Sequence, residues 1–358
     1  MPSLKEIKGR INSISSTLAI TSAMKMVASA KLQKAQMAIQ NMLPYERRLY
    51  SMLVDLMGAM NISAAASEDG SVRGSGSAER GFDQSGDRLS LSNRHDLTGM
   101  DGAYSLMAQR EVRKVAIVAF ASNSSLCGAF NSNVIREATA VINEYRASGL
   151  GDADITVYSV GRKMAEAMKK LGFPSPADFT KMSDSPSYDA ASALAQELFD
   201  GFVSGRFDKV ELVYNHYKST SSQPTTRQTY LPLSLADATA DIQVGKITDS
   251  ASESDMNRGA EPVGAPVVRQ GSPTTEDLIV EPSKEALIAT LLPKVVRLRI
   301  FTTLLDSAAA EHAARTVAMQ LATDNGNDLL QELTLEYNKG RQQKITSEIL
   351  DLVGGSLQ

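Results

Sequence analysis

From residue 284 to residue 353 helix formers run on with a single proline, Pro293, near the start. At 1.5 Å per residue, such a helix reaches about 100 Å. A compact domain drawn from 358 residues holds no helix of that length. This one must protrude, and something outside the domain must cover its apolar side. Leu298, Phe301, Leu305, Ala308, His312, Arg315, Met319, Ala322, Gly326, Leu329 and Leu333 recur at alternating spacings of three and four, the seam of a coiled coil. The middle of the seam is small. Ala308, Ala309, Ala310, Ala313 and Ala314 let a second backbone come close. The end differs: Ile345, Ile349, Leu350, Leu352 and Val353 form an apolar tip ahead of Gly354 and Gly355, a C-terminal stop signal.

The start of the chain supplies the partner. Leu4, Ile7, Ile11, Ile14, Leu18, Thr21, Lys25, Ala28, Leu32, Ala35 and Ile39 keep the same rhythm, and sustained heptads impose a left-handed supercoil. Ser3 suits the N-cap. Pro44 kinks or ends the helix, yet apolar rhythm resumes at Leu49, Leu53, Leu56 and Met60, so continuation is expected. Helices at opposite ends of one chain most simply pair antiparallel. The N-terminal one is shorter, so the C-terminal tip overhangs. A bare apolar helix end in water is a liability, and a hydrophobic sleeve from another protein is inferred. Thr21 and Lys25 break the apolar rule. Either they fix register, as polar seam residues do, or the 20–27 segment touches a partner.

Between the ends lies alternating α/β sequence. The runs 115–120, 155–160 and 210–214 read as strands, with a further strand around 226–231. Helices are expected at about 131–147, from Gly161 to Leu171, and from Tyr188 to Ser204. The whole is an α/β chain: a long antiparallel coiled coil of N- and C-terminal helices plus a small Rossmann-like α/β domain. Its expected divisions are a coil helix over 1–61, a low-complexity insertion over 62–110 and the α/β domain over 111–236. A flexible loop insertion over 237–282 and the second coil helix over 283–358 complete it. Both insertions are rich in small and polar residues and cannot bury enough surface to offset chain entropy.

Chemistry is sparse. The first βα turn lacks the glycine fingerprint of a dinucleotide site, and Gly74 to Ser77 is followed by no Gly-Lys-Ser/Thr. One cysteine, Cys127, reads as buried and structural. Three histidines, His95, His216 and His312, make no metal set with it. No catalytic residue, cofactor or metal is expected. Net charge is −4, but residues 1–60 carry a balance of +5, which points to acidic surfaces on a partner. Nucleic acid is not expected, because the basic residues lack interleaved aromatics. No apolar run suits a membrane span or a signal peptide, so a soluble intracellular protein is expected.

The ends carry a resemblance. Leu4 to Lys8 and Ile20 to Leu32 resemble the N-terminus of F-type ATP synthase gamma subunits. So do 307–325 (SAAAEHAARTVAMQLATDN), Leu333 to Gln342, Ile345 to Ile349, and the central Ser125-Leu126-Cys127-Gly128. The resemblance implies a non-catalytic rotor stalk, with catalysis on the beta subunits. Its coil would turn within the hexamer of alpha and beta subunits, and its α/β foot would sit beside epsilon on the membrane ring of c subunits. By residue match, Met24, Lys25, Arg341, Gln342, Thr346 and Glu348 would contact beta, and Ile345, Ile349, Leu352 and Val353 would lie in the sleeve. Membrane association would come only through the complex. With no presequence evident, the resemblance implies the cytoplasmic face of a bacterial inner membrane. Residues 13–19 lack lysines that many relatives carry, and the second insertion has no cysteine for a thiol switch. The insertions would brake rotation or decorate the foot. A different reading, an α/β enzyme with a coiled-coil dimerisation arm, predicts a ligand pocket and activity from the isolated chain.

Overall fold

The computed structural model describes residues 3–59, 106–107, 109–233, 281 and 283–356. The two insertions expected over 62–110 and 237–282 fall largely outside these residues, as do Gly74 to Ser77 and His95. Helix α1 spans Leu4–Ala59 and passes through Pro44 without a break. Ser3 caps it: the Glu6 N–H donates to Ser3 Oγ at 3.3 Å and the Ile7 N–H to Ser3 O at 3.0 Å. The last helix, Lys284–Ser356, holds 73 residues and is about 110 Å long. Among the described residues no helix is long and apolar enough to cross a membrane.

Between them β1 (Val115–Phe120) leads to α2 (Phe130–Ala147) and β2 (Ile155–Val160) to α3 (Arg162–Lys170). Then come α4 (Thr180–Asp184), α5 (Tyr188–Val203), β3 (Lys209–Asn215) and β4 (Thr225–Leu231), which makes the final helix α6. The sheet order is β2-β1-β3-β4. β1 pairs parallel with β2 and β3, and β4 runs antiparallel to β3. β1 is buried throughout because both its faces are covered. Val115, Ile117 and Ala119 meet Val134, Ala138 and Val141 of α2 and Met164 and Met168 of α3. Ala116, Val118 and Phe120 meet Leu194, Leu198 and Phe202 of α5. Where β2 ends, a Cβ on Gly161 would sit 2.0 Å from the Ala121 carbonyl oxygen, so only glycine fits.

The second apolar layer also contains Leu49, Leu53 and Leu56 of α1, and Ile288, Leu292, Val295, Val296 and Leu304 of α6. Both long helices are therefore rooted in the core of the α/β domain. Directional contacts reinforce the root. Tyr230 donates its hydroxyl to the Val296 carbonyl at 2.8 Å, and the Arg299 guanidinium lies over the Tyr50 ring.

Candidate functional site

Above the root, α1 and α6 pair with each other, and the register is antiparallel. Leu32 packs on Ala309 and Ala313, and the hydroxyls of Thr21 and Thr323 lie 3.0 Å apart. Leu18 leans over Gly326 and Leu4 over Gly340, so that Cβ atoms built there would sit 2.6 and 3.2 Å from leucine methyls. Every α1 seam residue anticipated from the sequence is buried or half-buried. Thr21 sits opposite another threonine, which fits the register-fixing reading. On α6 the seam slips in phase after Met319. Ala322 and Leu329 are exposed, and Thr323, Gly326, Leu330, Leu333, Tyr337 and Gly340 face the partner. Both phases offer small and apolar residues in this stretch. Gly326 and Leu333 belong to both phases; the structure fills the positions between with Thr323, bonded to Thr21, and Leu330.

Because Leu4 already sits at Gly340, α6 outruns its partner. All of residues 341–350 are exposed, including Arg341, Gln342, Thr346 and Glu348. The Thr346 hydroxyl donates to the Gln342 carbonyl, and Lys344 pairs with Glu348 at 3.7 Å. Ile345, Ile349, Leu350 and Leu352 are 47%, 54%, 64% and 74% exposed on the overhang, and Val353 lies on the same helix end. Met24 and Lys25 are instead half-buried along the coil. The register places them opposite residues 319–320, about 30 Å from Arg341. The six residues matched to one partner thus form two separate groups. The coil also exposes Ile20, Met26 and Val27, in the 20–27 segment weighed as a partner contact, and Leu321 and Leu335, which the sequence expectation left out. Their signal was available, since each falls off the seam while being large and apolar.

In doubly wound folds, ligands enter at the strand C-termini where connections diverge. Here that point is the end of β1, and α6 occupies it. Cys127 and Phe130 pack on Ala310 and Ala314, and Gly128 approaches Ala318. Cys127 is buried, as expected, with Asn131 Nδ2 3.2 Å from its sulfur. Arg315 donates to Ser124 Oγ at 2.7 Å and to Glu311 at 2.6 Å. His312 lies 3.5 Å from the same guanidinium. Burial, then Arg315 and Lys31, push the His312 imidazole down to about 4. Burial likewise raises the Glu311 carboxyl, against the pull of Arg315.

These two groups oppose each other in acid. A histidine with a depressed pKa stabilises the fold fully above its ordinary value of 6.5 and loses that contribution as pH falls toward about 4. Glu311, raised, gains protons in the fold and works the other way. The variant His312→Gln is therefore expected to lose less melting temperature between neutral pH and pH near 5 than the parent chain. An equal acid loss in both would show that His312 carries none of it.

A stiff two-helix shaft, rooted in a small α/β foot and ending in an unsheathed apolar tip, defines a shaft subunit of a larger assembly. Family-level comparison agrees. The model of the ATP synthase family matches residues 3–357. ATP synthase gamma chains of Phocaeicola vulgatus and Bacteroides thetaiotaomicron are 48% and 45% identical, each over all of both chains. A chain in the F1/c-ring assembly of the Euglena gracilis mitochondrial ATP synthase shares the fold. Its TM-score is 0.51 at 18% identity, with 98% of this chain and 92% of that one covered. The chain belongs to the family of ATP synthase gamma chains. Gamma chains are rotor stalks, and catalysis lies on the beta subunits.

Proposed function

We propose that this chain turns as the central stalk of a bacterial ATP synthase, on the cytoplasmic face of the inner membrane and held there through the complex. Its foot rides on the ring of c subunits beside epsilon, and its coil turns within the alpha and beta subunits. Ion flow through the ring rotates the foot. The asymmetric shaft then changes each beta site in sequence, and hydrolysis drives it backwards. The single observation that carries this reading is the overhang: an apolar helix end, fully outside its own coil, on a shaft rooted in the foot core. Torque applied to the foot reaches the tip only if the helices are embedded in it, and they are. Ile345, Ile349, Leu352 and Val353 would occupy the sleeve formed by the alpha and beta subunits. Met24, Lys25, Arg341, Gln342, Thr346 and Glu348 would meet beta at two heights along the shaft. Family membership, rather than any feature of the foot, decides against the enzyme reading.

Co-purification of the full chain with alpha and beta subunits tests the placement; failure to recover either would sink it. Arg341 is exposed and lies beyond the coil, so Arg341→Glu should leave the melting temperature of the chain unchanged. Ion pumping per ATP hydrolysed should fall roughly tenfold, the loss of a charged contact reversed in sign. Equal loss of folding and coupling would count against a contact role.

A further inference from the structure

The loop between β3 and β4 holds both shaft helices just above the core layer, before α6 runs on past Ser124, Cys127 and Gly128. His216 Nδ1 lies 2.6 Å from one carboxylate oxygen of Asp306, and the Tyr217 N–H donates to the other at 2.9 Å. The Tyr217 hydroxyl accepts from Gln36 Nε2 at 2.6 Å. Its ring packs between the Leu32–Ala309–Ala313 contact of the coil and the Cys127–Phe130–Ala310 contact of the foot. Two adjacent residues therefore grip α6 through Asp306 and α1 through Gln36. Asp306 follows Leu304, the last α6 residue in the core layer beneath the sheet.

The loop that makes this grip is itself braced. The His216 N–H donates to Pro224 O at 2.9 Å, and Ser219 and Ser222 exchange backbone bonds at 3.1 and 3.2 Å. Asn215, just before it, donates to the Phe130 carbonyl at 3.0 Å and accepts from Thr225 at 2.7 Å. A load on the loop is thus spread over β3, β4 and α2.

We propose that Asp306 and Tyr217 are positioning residues for rotation: they set the angle of the coil on the foot so that torque passes without slack. The inference rests on the rotor reading of this chain. Apolar contact in the root is non-directional and opposes withdrawal of the helices more than small rotations about their axis. Hydrogen bonds are directional, and bonds to both helices from one braced loop fix the angle.

The test uses ATP synthase complexes lacking their own gamma chain, completed with this full chain and placed in vesicles. Wild-type chain should restore ATP-driven ion uptake; if it does not, the rotor reading itself fails. Given that restoration, Asp306→Ala removes the acceptor for both His216 and Tyr217, and Tyr217→Phe removes the bond to Gln36 together with the weaker 3.5 Å contact to Thr220 inside the loop. Each should leave ATP hydrolysis by the detached alpha–beta–gamma complex near wild type. Ion uptake per ATP should fall about fivefold for Asp306→Ala, the population shift expected when a bond of ordinary strength is lost. Asp306→Asn, which keeps one acceptor oxygen, should recover part of it. Unchanged uptake per ATP in both variants would overturn the proposal. So would hydrolysis and uptake falling in parallel, the mark of a merely structural role. Should Asp306→Ala fail to fold, Tyr217→Phe decides alone.

Discussion

Ala309→Asp is expected to dismantle the shaft. Ala309 is fully buried where Leu32 of α1 crosses α6, with Ala313 and Tyr217 beside it. The two backbones come close there because the α6 residues that meet Leu32, Ala309 and Ala313, are small. A carboxylate would need room that the methyl group does not vacate, and would lose its water in an apolar contact. It would also stand three residues from Asp306, whose oxygens are committed to His216 and Tyr217. Burial of such a group without compensation costs about 4 kcal/mol. For a chain of this size that lowers the melting temperature by roughly 10 °C. Recovery of complexes with alpha and beta subunits should fall with it. Ala309→Ser separates size from charge: its hydroxyl can bond the preceding turn of its own helix, and its melting should stay near the parent's. If Ala309→Asp melted with the wild type, the close crossing of the helices would be wrong.

The crossing was legible in the sequence because two physical signals agreed there, the heptad rhythm of α1 and the run of alanines on α6. β1 and β2 were legible to the residue, Val115–Phe120 and Ile155–Val160: the first as a continuous apolar run, the second as a stretch of β-branched and aromatic residues between Asp154 and Gly161. The phase of α6 beyond Met319 was not. Ala322 and Leu329 satisfy the rhythm as well as Thr323 and Leu330 do, Gly326 and Leu333 belong to both phases, and the bond between Thr21 and Thr323 that marks the observed one joins residues with no local signal of each other. α4 escaped notice because five residues are too short to show a period. The grip of Tyr217 on Asp306 joins residues 89 apart, and neither carries a local signal of the other. The expected contact residues came from the resemblance; for those on the overhang, exposure alone followed from the length difference between the helices. The half-burial of Met24 and Lys25 needed the register.

Glu211→Ala is expected to destabilise the foot by about 3 kcal/mol, because breaking a buried ionic cluster strands its remaining charges. In the sequence Glu211 is a charged residue in the middle of an apolar strand, and it is 1% exposed. Arg227 of β4 donates to both its oxygens, at 2.7 and 3.1 Å; Lys209 lies 2.7 Å away and the Tyr145 hydroxyl 2.6 Å. Glu144 of α2 pairs with the same arginine. The cluster thus ties edge strand β4 to β3 and α2. Burial alone would raise the Glu211 carboxyl; the bonds from Arg227, Lys209 and Tyr145 outweigh it and hold it below the ordinary 4.5. A depressed carboxylate contributes stability that is present above 4.5 and lost as pH falls through the folded value. The cost of Glu211→Ala should therefore be full at neutral pH and shrink in strong acid, as read from melting curves of the isolated chain. The triple variant Glu211→Leu, Lys209→Leu, Arg227→Met removes the charges together and should recover most of the loss, since apolar side chains of like volume replace buried ion pairs at little cost. If the triple variant melted no higher than Glu211→Ala, the loss would come from packing rather than from stranded charge.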